Sequence, residues 1–293
     1  MLGYCLGIGL GLVAWSPWPS QPLKPGLGLI NKGYLMRTQS LTRPDGRVFK
    51  IKTYTPEASS IGLVMITPGA GGSEDGYRYL ANYFVAQGYW VVVMEHLESN
   101  LGSLRNYTKR QGLKQGLVEM VTHGPSYQGR MMEIQEVLRW LDGQVMGPKI
   151  LVGHSMGAAT VMIEAGAANK VGCRGQDRFD AYIALSPQGP GLIFPQGAWG
   201  GITKPMLLIT GTEDHELDHT WESRLQSFDN MKAGTYKWLG VIEGATHMNL
   251  AGVGLSRNPE KCVVELVDLF CKNNLGKNQS QFITTPTITL RVK

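Results

Sequence analysis

The sequence lacks the patterns that hold a metal ion. Its four cysteines, Cys5, Cys173, Cys262 and Cys271, form no C-x-x-C pair and stand at no Cys/His ligand spacing. No metal or other cofactor is expected. Cys262 and Cys271 lie nine residues apart on an expected helix, hence on opposite faces, and cannot bridge while that helix is continuous. Free, buried thiols are the expectation; a bridge involving Cys173 stays open. Charge is also scarce. Charged residues are 17% against 43% hydrophobic, which excludes global disorder and provides for a sizeable core. The net charge of +5 is mild. Its densest run is Arg105, Lys109, Arg110 and Lys114, with Tyr107 among them, and no nucleic-acid motif stands near it, so it reads as a solvated face. No Gly-Lys-Ser/Thr follows the glycine-rich segment at 68–72, which argues against a nucleotide-phosphate loop.

Met1 to Trp18 carries no charged side chain at all. Leu6 to Trp15 has the length of a signal-peptide core and is short for a membrane span. Ala14-Trp15-Ser16 resembles a small-x-small cleavage site, although Pro17 would follow the cut and no Lys or Arg precedes the apolar core. Export to the periplasm or medium is the first reading. A cytosolic leader, or a true start at Met36, is the second, and a membrane tether the third. Residues 16–28, rich in Pro and Gly, read as a linker. The expected division is a leader and linker at 1–28, one α/β domain at 29–275, and a tail or edge strand at 276–293.

What is present is an alternation of strands and helices. Tyr34 to Leu41 and Val48 to Tyr54 flank Pro44-Asp45-Gly46, a hairpin signal. Ile61 to Thr67 and Tyr89 to Met94 are buried-strand runs, with a helix expected from Glu74 to Gln87 between them. Residues 97–125 show weak periodicity and read as an excursion over the sheet with some helix. Tyr127 to Leu141 is a helix with Met131, Ile134, Val137, Leu138 and Leu141 on one face. Further strands are expected at 149–152, 181–185, 205–210 and 236–242, and further helices at 158–168, 221–231 and 259–272. This order demands a mostly parallel central sheet covered on both faces, with an antiparallel hairpin at one edge.

The stretch Gly153-His154-Ser155-Met156-Gly157 sits between a strand and a helix. That context turns a common G-x-S-x-G into a candidate nucleophile elbow, in which the serine occupies a strained turn above the sheet. In such a sheet the working groups lie at the carboxyl ends of the strands, which here carry Ser155, Asp214 and His247 in that order. A serine hydroxyl needs an adjacent base, and His247 on a small-residue loop is the best candidate. His154 is expected to point away from the elbow. His96 could line a pocket, and His123, His215 and His219 fall in loops. Asp214 is the expected carboxylate partner, with Glu213, Asp218 and Glu222 as rivals. The developing oxyanion needs two backbone donors: Met156 is one, Ala70 the first choice for the other and Gly69 the second, since Pro68 has no amide hydrogen. Trp199, Met156 and Tyr77 are candidates to line a cleft, with a core or surface role for each equally open.

Thr67-Pro68-Gly69-Ala70-Gly71-Gly72-Ser73, Ala86-Gln87-Gly88-Tyr89, Gly153 to Gly157, Gly211 to Asp214 and Gly244-Ala245-Thr246-His247-Met248 together resemble the α/β-hydrolase family. More narrowly, the chain resembles the dienelactone-hydrolase-like group, with its platelet-activating-factor-acetylhydrolase-like esterases and, more distantly, cutinase-like polyester hydrolases. The resemblance implies a serine esterase with a Ser-His-Asp triad acting on a small-molecule ester, with no cofactor. Two departures stand out. Many relatives begin the loop with His-Gly where this chain has Pro68-Gly69, and dienelactone hydrolase itself uses a cysteine where this chain has Ser155. The alternatives on the same residues are carbon–carbon hydrolysis or perhydrolysis, and a non-catalytic ligand-binding member. No nucleic-acid partner is expected, and membrane association only through an N-terminal anchor.

Overall fold

The computed structural model describes residues 33–215, 220–234, 236–276 and 285–293. The leader and linker at 1–28, Cys5, and the rivals Asp218 and His219 lie outside these residues. The protein is a mixed α/β molecule built on one nine-stranded sheet in the order β1-β2-β4-β3-β5-β6-β7-β8-β9. The strands are β1 (Tyr34–Thr42), β2 (Val48–Pro56), β3 (Leu63–Thr67), β4 (Trp90–Met94), β5 (Lys149–His154), β6 (Ala181–Leu185), β7 (Met206–Glu213), β8 (Lys237–Thr246) and β9 (Ile288–Val292). Strands β3 to β8 are mutually parallel. β1 and β2 form the expected antiparallel hairpin at one edge. β9 closes the other edge antiparallel to β8, so the tail supplies an edge strand.

The central strands are apolar without interruption because both faces are covered. Successive side chains alternate between two cores. Leu63, Met65, Val92, Met94 and Leu151 point to one, and Val64, Ile66, Val91, Val93, Ile150 and Val152 to the other. Helices α1 (Arg78–Ala86) and α7 (Asn258–Asn274) cover the second core. Helices α4 (Gly124–Trp140) and α5 (Met156–Glu164) cover the first. Burying one such aliphatic side chain contributes about 1.5–3 kcal/mol.

Several elements depart from the expected bounds. The first helix begins at Arg78, because Tyr77 takes a left-handed conformation (φ 55°, ψ 29°) and stops helical hydrogen bonding upstream. Residues 97–125 are almost wholly helical, as α2 (Leu101–Gln111) and α3 (Leu113–Thr122). Their periodicity is weak because α2 buries no residue and carries Arg105, Lys109 and Arg110 of the basic run on an exposed surface, with Lys114 following at the start of α3. The helix after Ser155 starts at once, at Met156, and ends at Glu164. The segment 221–231 is a short 3-10 turn followed by α6 (Leu225–Asp229). β8 runs four residues past Ile242 to Thr246. Cys173, Cys262 and Cys271 are free thiols, and burial pushes that of Cys271 up to about 12. No described helix is long and apolar enough to cross a membrane.

The tightest packing in the sheet is beside β5. A Cβ at Gly157 would lie 2.0 Å from the Thr67 carbonyl oxygen, and one at Gly153 would lie 2.2 Å from that of Gly157. Gly157→Ala is therefore expected to destabilise the fold by about 3 kcal/mol or more through overpacking against backbone. Gly191→Ala, where nothing lies within 4 Å, should stay within about 0.5 kcal/mol of the parent. Urea unfolding of the two variants measures the difference.

Candidate active site

Strand order assembles the site. From β3 the chain runs to β4 on one side, then crosses to β5 on the other. Where connections diverge in this way, a crevice opens beyond the carboxyl ends of the strands. Thr67 of β3 pairs with Gly153 of β5, so the loop after Thr67 and the turn after His154 face each other there. A Cβ at Gly69 would sit 3.2 Å from Ser155 Cβ.

Ser155 has φ 55° and ψ −119°, a region that side-chain-bearing residues avoid. Among the described residues five non-glycine residues have positive φ, and three of them, Tyr77, Ser155 and Ser186, touch this site or its supports. Strain concentrated at one place points to function there. The Ser155 amide donates to the Leu185 carbonyl at 3.0 Å, which pins the turn. Its hydroxyl is half-buried and hydrogen-bonds to no described residue.

The amides of Ala70 and Met156 likewise have no acceptor among the described residues. Met156 opens α5, so its amide is one of the unpaired donors at a helix start, where the dipole favours negative charge. Gly69 does not fit the donor role weighed for it. Its amide already donates to the Tyr77 hydroxyl oxygen at 3.2 Å. The loop is held from below by the buried Arg130, which donates to the Pro68 carbonyl at 2.9 Å and to Thr67 Oγ1 at 3.1 Å.

Asp214 and His247 meet because Glu213 and Thr246 pair at the ends of adjacent parallel strands. The residues that follow them are then neighbours. β8 gains extra residues between the Gly211–Ile242 and Glu213–Thr246 pairs, and Gly244 (φ 68°) turns this bulge. His247 Nδ1 donates to Asp214 Oδ1 at 2.8 Å. Asp214 is 0% exposed, and its oxygens are satisfied. Oδ2 accepts from Thr210 Oγ1 at 2.9 Å, and Oδ1 also pairs with Arg224 Nη2 at 3.0 Å. Since Nδ1 of His247 carries a proton toward Asp214, the 3.4 Å approach of Arg224 Nη2 to that nitrogen is a contact of two donors. Of the rivals, Glu213 is exposed and lies 3.5 Å from His215, and Glu222 is on the surface.

No hydrogen bond joins Ser155 to His247 among the described residues. The link between them runs through His154. Its ring lies 4.6 Å from that of His247, and its Nε2 donates to the His247 carbonyl at 3.0 Å. His154, expected to point away from the elbow, packs its ring beside that of His247. The residue before a tight turn at a strand end still projects beside the neighbouring strand ends, here toward β8. Burial, then His247 whenever it is protonated and the charge of Arg224, hold its pKa well below the usual histidine value. His96 lines no pocket either. It is buried between Thr67 Oγ1 and Glu133 Oε2, both at 2.6 Å. Trp199 and Met156 are fully buried in the core, and Trp199 Nε1 donates to Met162 Sδ. Tyr77 is also buried, and its hydroxyl faces His154 Nδ1 at 3.0 Å.

Sequence reasoning missed Arg224 and Thr210. Thr210 had a weak signal, a hydroxyl four residues before an acid at a strand end. Arg224 had none, since a basic residue in a short amphipathic segment reads as surface. Among the described residues no group of three His, Cys, Asp or Glu side chains is placed to hold a metal ion. In comparisons with known proteins, no family model and no curated protein matches the chain.

The arrangement thus offers a hydroxyl on a strained turn, two unpaired amides beside it, and an imidazole backed by a buried carboxylate. Arg224 is the cation that keeps that carboxylate paired. Removing it by Arg224→Met is expected to cost about 3–5 kcal/mol, the usual loss when one partner of a buried ion pair is deleted. Arg291→Met, which breaks the half-exposed pair with Asp229, should cost no more than about 1 kcal/mol. Equilibrium unfolding in urea checks both.

Proposed function

We propose that the protein is a serine hydrolase that cleaves carboxylic esters through an acyl-enzyme, on an α/β-hydrolase fold. The observation that carries this reading is Ser155. It is held at φ 55° at the crevice of a parallel sheet, with the unpaired amides of Met156 and Ala70 nearby. The fold is supported by the run of parallel strands and by the order Ser155, Asp214, His247 at successive strand ends. The motif resemblance points the same way.

The chemistry follows from the protons. His247 Nδ1–H is committed to Asp214, so Nε2 is left as the lone-pair nitrogen that accepts a proton. Ser155 Oγ attacks the ester carbonyl carbon while its proton passes to Nε2. The carbonyl oxygen becomes an oxyanion and accepts from the Met156 and Ala70 amides. As the tetrahedral intermediate collapses, the C–O bond to the alcohol breaks and the alkoxide takes the proton from Nε2. Water then repeats the sequence on the acyl-enzyme and releases the acid. Asp214 stabilises the imidazolium at both stages and remains ionised. Apo structures commonly leave the serine–histidine bond long or unmade, to be closed by substrate.

Ser155→Ala should abolish labelling by a fluorophosphonate probe and lower ester turnover by roughly 10⁶-fold, with His247→Ala about as severe. Asp214→Asn should cost roughly 10⁴-fold, because the imidazole survives without its ionic partner. Glu213→Gln should be near wild type. Turnover close to wild type in Ser155→Ala sinks the assignment. A crippled Glu213→Gln beside an active Asp214→Asn would move the carboxylate role to Glu213.

Among the described residues no long, strongly apolar helix covers the crevice. The nearest cover is α2, whose Leu104 side chain reaches Gly71 but which buries none of its own residues. Short or medium acyl esters are therefore expected to be hydrolysed in preference to emulsified triglycerides. A panel of esters of increasing acyl length tests this, and sharp activation at an oil–water interface would contradict it.

A further inference from the structure

Two buried side chains, Tyr77 and His154, connect the loop that carries Ala70 to the backbone of His247. The Gly69 amide donates to the Tyr77 hydroxyl oxygen at 3.2 Å. The Tyr77 hydroxyl is 3.0 Å from His154 Nδ1. His154 Nε2 is 3.0 Å from the His247 carbonyl oxygen. A carbonyl oxygen only accepts, so Nε2 must carry the proton. Burial, with the charge of Arg224 beside it, keeps the ring neutral, so Nδ1 is bare and accepts. Burial pushes the Tyr77 phenol up to about 12, so it keeps its proton and donates to Nδ1. Every proton in the chain then has one direction: Gly69 N–H to Tyr77 O–H to His154 Nδ1, and His154 Nε2–H to the carbonyl of His247. No atom is left over.

We propose that Tyr77 and His154 form a single hydrogen-bonded strut that positions the reaction, setting the distance between the oxyanion-binding loop and the His247 imidazole across Ser155. The proposal rests on the serine-hydrolase reading above. Three further observations support it. Tyr77 adopts a left-handed backbone (φ 55°) at the start of α1, a strain that its hydroxyl contacts at the site offset. His154 is covalently next to Ser155, so one turn carries both the attacking hydroxyl and the group that holds the base. The strut also occupies the Gly69 amide, which leaves the Ala70 amide as the free donor in that loop. Neither side chain reaches the reacting atoms, since both are buried and both have spent their polar atoms on each other, the loop and the His247 carbonyl. They are positioning residues.

A strut of this kind acts as a unit, and that separates it from ordinary packing. The test compares Tyr77→Phe, His154→Leu, the double variant and His154→Gln with wild type on a soluble short-chain ester. Tyr77→Phe removes the two neutral hydrogen bonds of the hydroxyl, to the Gly69 amide and to His154 Nδ1, and should lower kcat about ten-fold, with KM changed less than about two-fold. His154→Leu should lower kcat by roughly a hundred-fold. The double variant should be no worse than His154→Leu alone, because the second removal finds the strut already cut. His154→Gln, whose amide keeps a donor at the Nε2 position, should recover to within about ten-fold of wild type. Multiplying losses in the double variant, or kcat within about two-fold of wild type for both single variants, would overturn the proposal. So would a KM effect without a kcat effect. Ser155→Ala is assayed alongside: if it stays active, the serine-hydrolase reading has failed, whereas an inactive Ser155→Ala with fully active strut variants defeats the strut alone. A readout independent of turnover, and of whether His154→Leu folds, is the ¹⁵N spectrum of His154 in the wild-type protein at neutral pH. It should report the neutral ring protonated at Nε2. Protonation at Nδ1 overturns the directions on which the strut depends.

Discussion

The contact on which the rest depends is the approach of Gly157, in the first turn of α5, to the Thr67 carbonyl at the end of β3. No side chain fits there, since a Cβ would stand 2.0 Å from that oxygen. With nothing between them, the helix that follows Ser155 sits directly against the end of the neighbouring strand. That closeness goes with the tight turn at Ser155, at φ 55° and ψ −119°, and brings the loop from Pro68 to Ala70 beside it. Two glycines flanking the serine are therefore steric requirements of the packing. The strain at Ser155 is offset by the Leu185 carbonyl that holds its amide and by the cores on both faces of the sheet.

Electrostatics then divides two similar constellations. Thr67, His96 and Glu133 are joined as hydroxyl, imidazole and carboxylate, at 2.6 Å on each side of the ring. Chemically this resembles the arrangement proposed for Ser155, His247 and Asp214. Thr67 is 0% exposed, however, and its oxygen also accepts from Arg130. No substrate reaches it, and the triple serves to seat Arg130 under the loop. His247 instead keeps one face toward the crevice, with only its Nδ1 committed. The same three functional groups are a structural brace in one place and candidate chemistry in the other; burial, the closed hydroxyl–imidazole bond at Thr67 and the strained turn at Ser155 separate them. Both sites use a buried arginine as counter-charge: Arg130 beneath the loop, Arg224 behind Asp214. Arg224 is surrounded by carbonyl oxygens, those of Asp214, Ser186 and Pro187, while Arg130 donates to the Pro68 carbonyl and to the hydroxyls of Thr67 and Ser99; these oxygens replace water that a buried cation has lost.

Much of this was written locally in the chain. The uninterrupted apolar runs at Leu63–Thr67, Trp90–Met94, Lys149–His154 and Ala181–Leu185 announce strands buried on both faces, and the Pro-Asp-Gly between Thr42 and Val48 announces the hairpin. Ser155, Asp214 and His247 were legible because each stands where a strand pattern stops. Helices α2 and α3 were not, because periodicity records burial and α2 has none. The register of β8 was also hidden: its bulge depends on how β7 lies beside it, through Gly211 close against Ala245.

By itself, then, the sequence determined the element order, the parallel sheet with an antiparallel edge, and three residues of the candidate site, since these follow from short-range patterns of hydrophobicity and turn chemistry. Only the tertiary structure decided which polar groups face one another. It set Arg224 behind Asp214, occupied the Gly69 amide with Tyr77, and seated the His154 ring against that of His247. It also made His96 a buried brace. Each of these joins residues from separate strand ends. A hydrogen bond depends on distances of a few tenths of an ångström and on direction, which no local pattern encodes and which only the packed sheet supplies.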